Sequence, residues 1–478
     1  MKLLVIGLDC AAPELLLGDE RLVNLRRLMA AGGYGRLESV VPPITVPAWM
    51  CLATSQDPGS LGVYGFRNRT DHSYGGLAIA NSRSIQELAI WDQLARQGKR
   101  SVIIGVPPSF PPRKVNGICV GCFLTPDPAT DEYTWPAAVK AEIASLVGEY
   151  EVDVKGFRTD RKAWLRDSIF RMSRKQFQVV RHYLAGTEWD YFQFVDIGLD
   201  RVHHGFWRYH DPEHVRHEPG SEFAEVIRDY YLHLDQEIGR LLEGLDAETT
   251  VLVTSDHGAR RLDGGFCVNE WLVREKLLTL SEYPSAVTPF AGLAVDWSRT
   301  RVWSEGGYYA RVFFNVKGRE PEGTVAPEEY ESFREEMAAR LEATIPGTLV
   351  FKPEEIYRSV RNVAPDLIVH FGGLAYRSIG GVGYPELIIR ENDTGPDDCN
   401  HAQFGAFILA GPTWPATGEL SGVKLLDLSP TLLELGGYDV PSTMQGRSLV
   451  GGVKPTDTMT PDGERIIRER LSGLGYLG

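Results

Sequence analysis

Six short apolar runs punctuate the chain, at Leu3–Leu8, Ser101–Val106, Tyr191–Val195, Thr250–Thr254, Asp366–Phe371 and Gly405–Ala410. Apolar runs of this length predict strands buried on both faces, as in a parallel sheet. Helical stretches are predicted between them, among them Leu22–Ala31, Ile85–Gln97, Asp167–Tyr183, Phe223–Leu242 and Pro327–Ala343. Strands alternating with helices imply an α/β fold with a doubly wound, mostly parallel sheet flanked by helices. Two regions read as additions to that core. Residues from about Thr125 to Gly186 are mainly helical and are expected to pack over one end. Residues from about Thr300 to Val363 run strand, loop, helix, strand between Gly- and Pro-rich joints, which suits a small inserted α+β lid. The expected organisation is a core of residues 1–299 and 364–451 with the helical insertion at about 125–186, a lid at 300–363, and a tail at 452–478 carrying a short helix over Asp462–Ser472.

Composition narrows the class without changing the fold. With 478 residues, 43% hydrophobic and 24% charged, the chain is an ordinary globular protein large enough for one to three domains. A net charge of −14 disfavours a stable nucleic-acid partner, which needs clustered Lys and Arg. It leaves room for a phosphate substrate, because bound cations reverse the field inside one pocket. The N-terminal apolar run is too short for a signal peptide and ends at Asp9, and no stretch has the length of a membrane helix. A cytoplasmic location with no membrane partner is therefore expected. Cys119 and Cys122 form a C-x-x-C with no second pair at zinc-ribbon spacing; Cys10, Cys51, Cys267 and Cys399 are scattered. Reduced, structural thiols are expected for all six.

The candidate chemistry follows the strands. Leu3–Leu8 runs into Asp9, Tyr191–Val195 into Asp196 and Asp200, and Thr250–Thr254 into Ser255-Asp256-His257-Gly258. In an open α/β sheet the ligand crevice lies beyond the carboxyl ends of the strands, so these groups are expected to converge although they are far apart in sequence. A single Asp after a strand is usually a turn or cap residue, and Asp196 is assigned that structural part. Asp200 and His204 are spaced to face one side of a helical turn, with His203 turned into packing. Carboxylate oxygens with neutral imidazoles suit zinc or manganese. His401, in Cys399-Asn400-His401-Ala402, is the remaining candidate ligand.

Thr45 lies in Pro42-Pro43-Ile44-Thr45-Val46-Pro47-Ala48-Trp49, with Pro47 placed as an early helical residue, so Thr45 stands at a helix N-terminus. One reading is a plain N-cap threonine. The other uses the same geometry for chemistry: backbone N–H groups and the positive helix end favour a phosphate oxygen, and a nearby cation turns the hydroxyl into a nucleophile.

Taken together these segments resemble the alkaline phosphatase superfamily, specifically its type I phosphodiesterase/nucleotide pyrophosphatase branch. The resemblance runs from Gly7-Leu8-Asp9 through Thr45–Trp49, Asp200-Arg201 with His204, and Ser255–Gly258 to His401, and includes Gly264–Leu272 and Asp427-Leu428-Ser429-Pro430-Thr431. It implies two clusters: Asp9, Thr45, Asp256 and His257 for one metal, Asp200, His204 and His401 for the other. Two divalent ions are implied, zinc favoured by the three-His, three-Asp mixture and manganese the alternative. The implied activity is hydrolysis of a small phosphate ester, foremost a phosphodiester, with nucleotides among the candidates, through a phospho-threonine on Thr45. Two departures bear on specificity. Leu61 stands where relatives carry His, and Phe66 stands where nucleotide-cleaving relatives carry an Asn, with Asn68 close by. The rivals are a phosphomonoesterase or phosphomutase of the same superfamily, with Thr45 counting against a serine-type mutase, and a metal-binding scaffold without catalysis. Candidate pocket walls are Trp164, Tyr308, Tyr309 and Tyr376; candidate phosphate contacts are Arg67, Arg69 and Arg201.

Overall fold

A computed structural model describes residues 1–415 and 418–451. The expected tail, 452–478, lies outside them. The main sheet contains β1 (Lys2–Leu8), β2 (Gly33–Glu38), β3 (Ser101–Ile104), β4 (Gly117–Val120), β5 (Thr134–Trp135), β6 (Tyr191–Asp196) and β7 (Thr249–Thr254). Two further strands, β8 (Gly258–Arg261) and β9 (Cys399–Ala402), form a separate ladder, after which β10 (Phe404–Ala410), β11 (Gly418–Glu419) and β12 (Val423–Lys424) rejoin the main sheet. Its order is β11-β2-β10-β7-β1-β6-β3-β4-β5, with β12 also paired to β2. The centre is parallel: β1 pairs with β6 and β7, and β3 with β6 and β4. β10 runs antiparallel to both β7 and β2.

Alternation along β1 shows why helices cover both faces. Leu4, Ile6 and Leu8 enter one apolar cluster, Leu3 and Val5 the other. The first cluster is closed by α1 (Val23–Ala31), and by helices that follow it in the chain; the second by α2 (Thr45–Thr54) and α3 (Ile90–Arg96) through Val46, Trp49, Ile90 and Leu94. Covering α1's side are α4 (Lys162–Gly186), α5 (Gly198–His210) and α6 (Val226–Leu242), while α8 (Leu428–Gly436) joins α2, and α7 (Tyr330–Glu342) belongs to a second sheet. The doubly wound α/β expectation is thus met.

Two placements differ from expectation. The long helix α4 does not cap one end: Leu165, Ile169, Phe177 and Val180 are fully buried in the same cluster as β1, because its apolar stripe matches the sheet face. Asp366–Phe371 yields a strand at Leu367–His370 that is not in the parallel core. It pairs antiparallel with Ala310–Phe314 and Leu349–Phe351 in a four-stranded sheet completed by Val302–Glu305 and packed on α7 through Phe333, Met337 and Leu341. A short apolar run specifies burial, not which sheet it joins. Among the described residues no helix is long and apolar enough to cross a membrane.

Candidate metal centre

The site forms where β1, β6 and β7 end. Asp9 follows β1 directly and is fully buried; its Oδ2 accepts a hydrogen bond from Trp49 Nε1 at 2.8 Å, and its Oδ1 has no partner. Trp49 sits one turn along α2 from Thr45, so the helix that carries the threonine is keyed to the first carboxylate. Gly7 makes this approach possible: a Cβ there would lie 2.4 Å from Trp49 Cη2.

Thr45 is the first residue of α2, and the cap position belongs to Ile44, in extended conformation with no side-chain cap bond. The plain N-cap reading of Thr45 therefore does not hold. Its Oγ1 lies 3.3 Å from His257 Nε2 instead. The second acidic group comes from the turn after β7. Asp256 Oδ1 accepts from the Cys10 amide at 3.2 Å, while Oδ2 has no hydrogen-bond partner and lies 3.1 Å from His257 Nε2.

Asp200 and His204 share one side of α5, with His204 Nε2 3.2 Å from Asp200 Oδ1. His401 arrives from the β8–β9 ladder, whose register sets it opposite Ala259, two residues past His257. The His257 and His401 rings stack at 3.8 Å between centroids and 15° between planes. His203, as expected, is packed, against Trp207 and Tyr231. Asp196 is structural, taking hydrogen bonds from Ser173, Tyr230 and the Leu199 amide.

All three site histidines present the same atom. His257 Nδ1 faces the Gly258 carbonyl at 3.1 Å, and His401 Nδ1 faces the Pro43 carbonyl at 3.0 Å. His204 Nδ1 lies 2.6 Å from Asp397 Oδ1. Each Nδ1 must carry hydrogen to bond an oxygen acceptor, which leaves the Nε2 lone pair for the centre. Buried polar atoms without partners are costly and rare. Here four of them point together: Asp9 Oδ1, Asp200 Oδ1, Asp256 Oδ2 and His204 Nε2. They fall into two groups of ligand-type atoms that lie within 4.8 Å of one another, Asp9/Asp256/His257 and Cys10/Asp200/His204/His401. The donor chemistry fits a pair of divalent cations. Thr45 Oγ1 stands beside the first of these groups, through its approach to His257 Nε2. The thiol of Cys10 is an addition, held at a left-handed φ of 65° that a non-glycine residue rarely adopts.

The electrostatics fit the same reading. Burial, reinforced by neighbouring carboxylates, holds Asp9 and Asp256 well above the usual carboxylate range. For Asp200 burial acts in that direction too, but the charge and hydrogen bond of His204, with Arg201, outweigh it and hold the group well below. Burial pushes His257 down to about 4, and burial with the nearby His257 ring pushes His401 down, keeping both neutral.

Several residues of this environment were not singled out from sequence. Asp397, fully buried, anchors His204 and also accepts from Arg158 Nε at 3.1 Å, Tyr308 OH at 3.1 Å and Asn392 Nδ2 at 3.1 Å. Its nearness to His401 in the chain was the available signal. Tyr308, expected as a pocket wall, stacks on His401 at 4.5 Å and on His204 at 5.1 Å. Tyr308 and Tyr309 together line a cavity, whereas Tyr376 packs against the second sheet's core and Trp164 stands on the surface under Arg161. Arg201 is bound to Asp153 and Asp200, and Arg69 to Glu320, so neither is free for substrate; Arg67 lines the cavity. Asn68 is spent on its own turn, bonding the Tyr64 amide and the Gly65 carbonyl. All six cysteines are free and buried, Cys119 and Cys122 included.

Residues 3–397 match the sequence profile of the family described as Type I phosphodiesterase / nucleotide pyrophosphatase. The chain belongs to that family. It is accordingly a phosphoesterase of the alkaline phosphatase superfamily with a buried candidate bimetal site. No curated protein matches it. Among solved structures, this phosphodiesterase-family chain is similar to phosphonoacetate hydrolase from Sinorhizobium meliloti 1021, solved with phosphonoformate, at TM-score 0.60 and 16% identity over 91% of this chain and 96% of that one. It is also similar to murine ectonucleotide pyrophosphatase/phosphodiesterase 5, at TM-score 0.53 and 15% identity over 92% and 96%. The human form of the latter gives 0.51 and 13% over the same shares. At these identities the likeness establishes the family's alkaline-phosphatase-like fold.

Proposed function

We propose that this protein hydrolyses phosphate esters, foremost phosphodiesters, with Thr45 as nucleophile, and that Asp9, Thr45, Asp256 and His257 hold one divalent cation while Asp200, His204 and His401 hold a second. Zinc is the favoured ion on the three-imidazole, three-carboxylate donor set, with manganese the alternative. The observation that carries the reading is the Thr45 hydroxyl. It is released from helix capping and held 3.3 Å from His257 Nε2, beside carboxylate oxygens that no protein donor satisfies.

Bound cations would supply Lewis-acid activation of the hydroxyl and offset charge on the attacking and leaving oxygens. The chain's own residues do the rest. Trp49 fixes Asp9, the Gly258 and Pro43 carbonyls fix the rings of His257 and His401, and the N-terminus of α2 presents backbone N–H groups towards an anion. Thr45 Oγ1 loses its proton to solvent and forms a bond to phosphorus as the bond to the leaving oxygen breaks. Water then attacks the phospho-threonine, the Oγ1–P bond breaks, and Thr45 is regenerated. A nucleotide ester is compatible with a murine relative described as an inactive threonine-to-alanine variant in complex with AMP. The altered positions Leu61 and Phe66 do not favour it.

The test compares bis(4-nitrophenyl) phosphate with 4-nitrophenyl phosphate in Zn²⁺, Mn²⁺ or EDTA. Metal-dependent release that prefers the diester is expected, and Thr45→Ala is expected to lose about a thousandfold or more of kcat. Quenched turnover should leave one phosphoryl group on the Thr45 peptide by mass spectrometry. Preference for the monoester would replace the diesterase reading. No release from either ester with any metal would leave a ligand-binding scaffold.

A further inference from the structure

Beside the metal centre opens a cavity of about 160 Å³, and its walls are unusually basic for a chain of net charge −14. Ile44, the neighbour of Thr45, forms one side, and Tyr308, stacked on two site histidines, forms another. Phe66, Tyr309 and the Gly306-Gly307 backbone add to the wall, and four guanidinium groups reach it: Arg67, Arg158, Arg311 and Arg377. They come from four separate parts of the sequence, so no local charge run announces them.

Their partners within the protein do not account for all four. Arg158 is engaged, by Asp397 and Tyr308. Arg311 donates to the Arg67 carbonyl, and Arg67, half exposed, stands 3.6 Å from Glu305. Arg377 is the exception. Its side chain is only 10% exposed, yet Nε and Nη1 make no hydrogen bond. Asp397, 3.9 Å from Nη1, is the obvious acceptor, but it already receives His204, Arg158, Tyr308 and Asn392. With the Cys399 amide also on Oδ1, at 3.5 Å, Asp397 already takes five donors, three of them on the Oδ2 that faces Arg377. Asp393, 3.3 Å from Nε, is not aligned to accept. The charge of Arg377 is thus paired, with Asp393 and Asp397, but its buried Nε and Nη1 have no aligned acceptor, which is costly at this depth, and its fork is held over the Tyr308 ring at 5.0 Å.

We propose that this cavity is a binding site for a second anionic group on the substrate, a carboxylate or a phosphate separate from the phosphoryl group attacked by Thr45, with Arg377 its principal donor and Arg67 at its rim. The shared chemistry is a planar or tetrahedral oxyanion taken by a guanidinium fork. The substrate class becomes a phosphate ester that carries a further negative charge, and diesters with a neutral second arm are cleaved less efficiently than diesters whose second arm is anionic. The inference rests on the esterase reading for what is cleaved, but the anion site stands on Arg377 and its neighbours alone.

Three diesters of 4-nitrophenyl phosphate, whose second arm is phenyl, carboxyphenyl or phosphonophenyl, separate the two. With the metal-loaded full-length protein, one anionic ester is expected to exceed the phenyl ester by about tenfold or more in kcat/KM. Which of the two wins identifies carboxylate or phosphate as the natural group. In Arg377→Gln that ratio should collapse towards unity, Arg377→Lys should keep part of it, and added salt should shrink it in the wild type. If no ester is cleaved, the hydrolase reading fails by itself, and the same three compounds are titrated calorimetrically as intact ligands, with the Kd ratio replacing the kcat/KM ratio. Should Arg377→Gln fail to fold, Arg67→Gln replaces it, with a smaller drop expected. Equal handling of all three esters by the wild type, or a preference that the Arg variants leave untouched, overturns the anion site.

Discussion

A single carboxylate, Asp397, connects the metal centre to the cavity beside it. Its Oδ1 holds His204 Nδ1 at 2.6 Å, and its Oδ2 holds Arg158, Tyr308 and Asn392. Asp397→Asn keeps the shape but replaces one oxygen with an NH₂ group and removes the charge, so His204 loses its strongest orienting partner. Partners of this kind, one step behind a metal-binding imidazole, are worth roughly 10–100-fold in metal affinity or activity. That loss is expected in metal retained against a competing chelator, with Thr45 still able to react at raised metal concentration; unchanged retention would remove Asp397 from the positioning role. Asp397 also marks the limit of the sequence at this scale. Of the seven expected site residues, Asp9, Asp200, His204, Asp256 and His257 drew notice because each follows an apolar strand or sits in a spaced pair, Thr45 because Pro47 marks a helix start, and His401 only because the set lacked a ligand and the resemblance supplied its place. Asp397 lies in Glu391–Asp398, a stretch whose composition matches a solvated acidic loop, and only the fold buries it. Cys10 was hidden for a related reason, since nothing in its neighbours announces a left-handed backbone beside a carboxylate.

At the scale of elements, the contact between β1 and α2 decides where Thr45 stands. Gly7 leaves room for the Trp49 ring, and Trp49 in turn donates to Asp9. Gly7→Ala would set a methyl against Trp49 on one side and Val195 Cγ2, at 2.7 Å, on the other. Overpacking of this kind costs about 1–3 kcal/mol, and the displaced indole would also free Asp9 and move α2. The expected outcome is a lowered denaturation midpoint together with a fall in kcat larger than the stability loss implies; a stable variant with unchanged kcat would show that the keying is unnecessary. The strands that build this contact were readable because they are buried on both faces. The antiparallel edge was not: β2 reads Gly-Tyr-Gly-Arg-Leu-Glu, with little strand signal, and it is held by pairing to β10 rather than by its own residues. The helix expected at Ile85–Gln97 shortens to Ile90–Arg96 because Ser82–Ser84 forms its own turn and Asp92 caps the later start by accepting from the Ala89 amide at 3.0 Å. Leu367–His370 shows the other limit, since its apolar run fits either sheet and pairing chose the second.

For the whole molecule, the buried acidic centre ties stability to metal and pH together. In metal-free protein, burial raises the folded-state pKa of Asp9 and Asp256, and the carboxylates around His204 raise its pKa although burial opposes them. Groups whose folded pKa lies above the unfolded value stabilise at low pH and lose that contribution as pH rises through the folded pKa. His257 and His401 have the opposite sign: their folded pKa is depressed, so their contribution is lost as pH falls below the ordinary histidine value of about 6.5. In the metal-free protein the two sets therefore oppose each other: Asp9, Asp256 and His204 favour lower pH, His257 and His401 favour higher pH, and above the ordinary histidine value only the first set still changes. Cations held as proposed by Asp9 and Asp256 would keep these carboxylates ionised and displace their protons, which would remove the loss on the alkaline side. The gap in melting temperature between metal-loaded and EDTA-treated protein is thus expected to widen steadily as pH rises above about 6.5. Thermal unfolding across that range, with Zn²⁺ or Mn²⁺ against EDTA, measures it. A gap that stays flat or narrows would mean that the buried carboxylates are not where the ions bind, because ions held there must displace their protons.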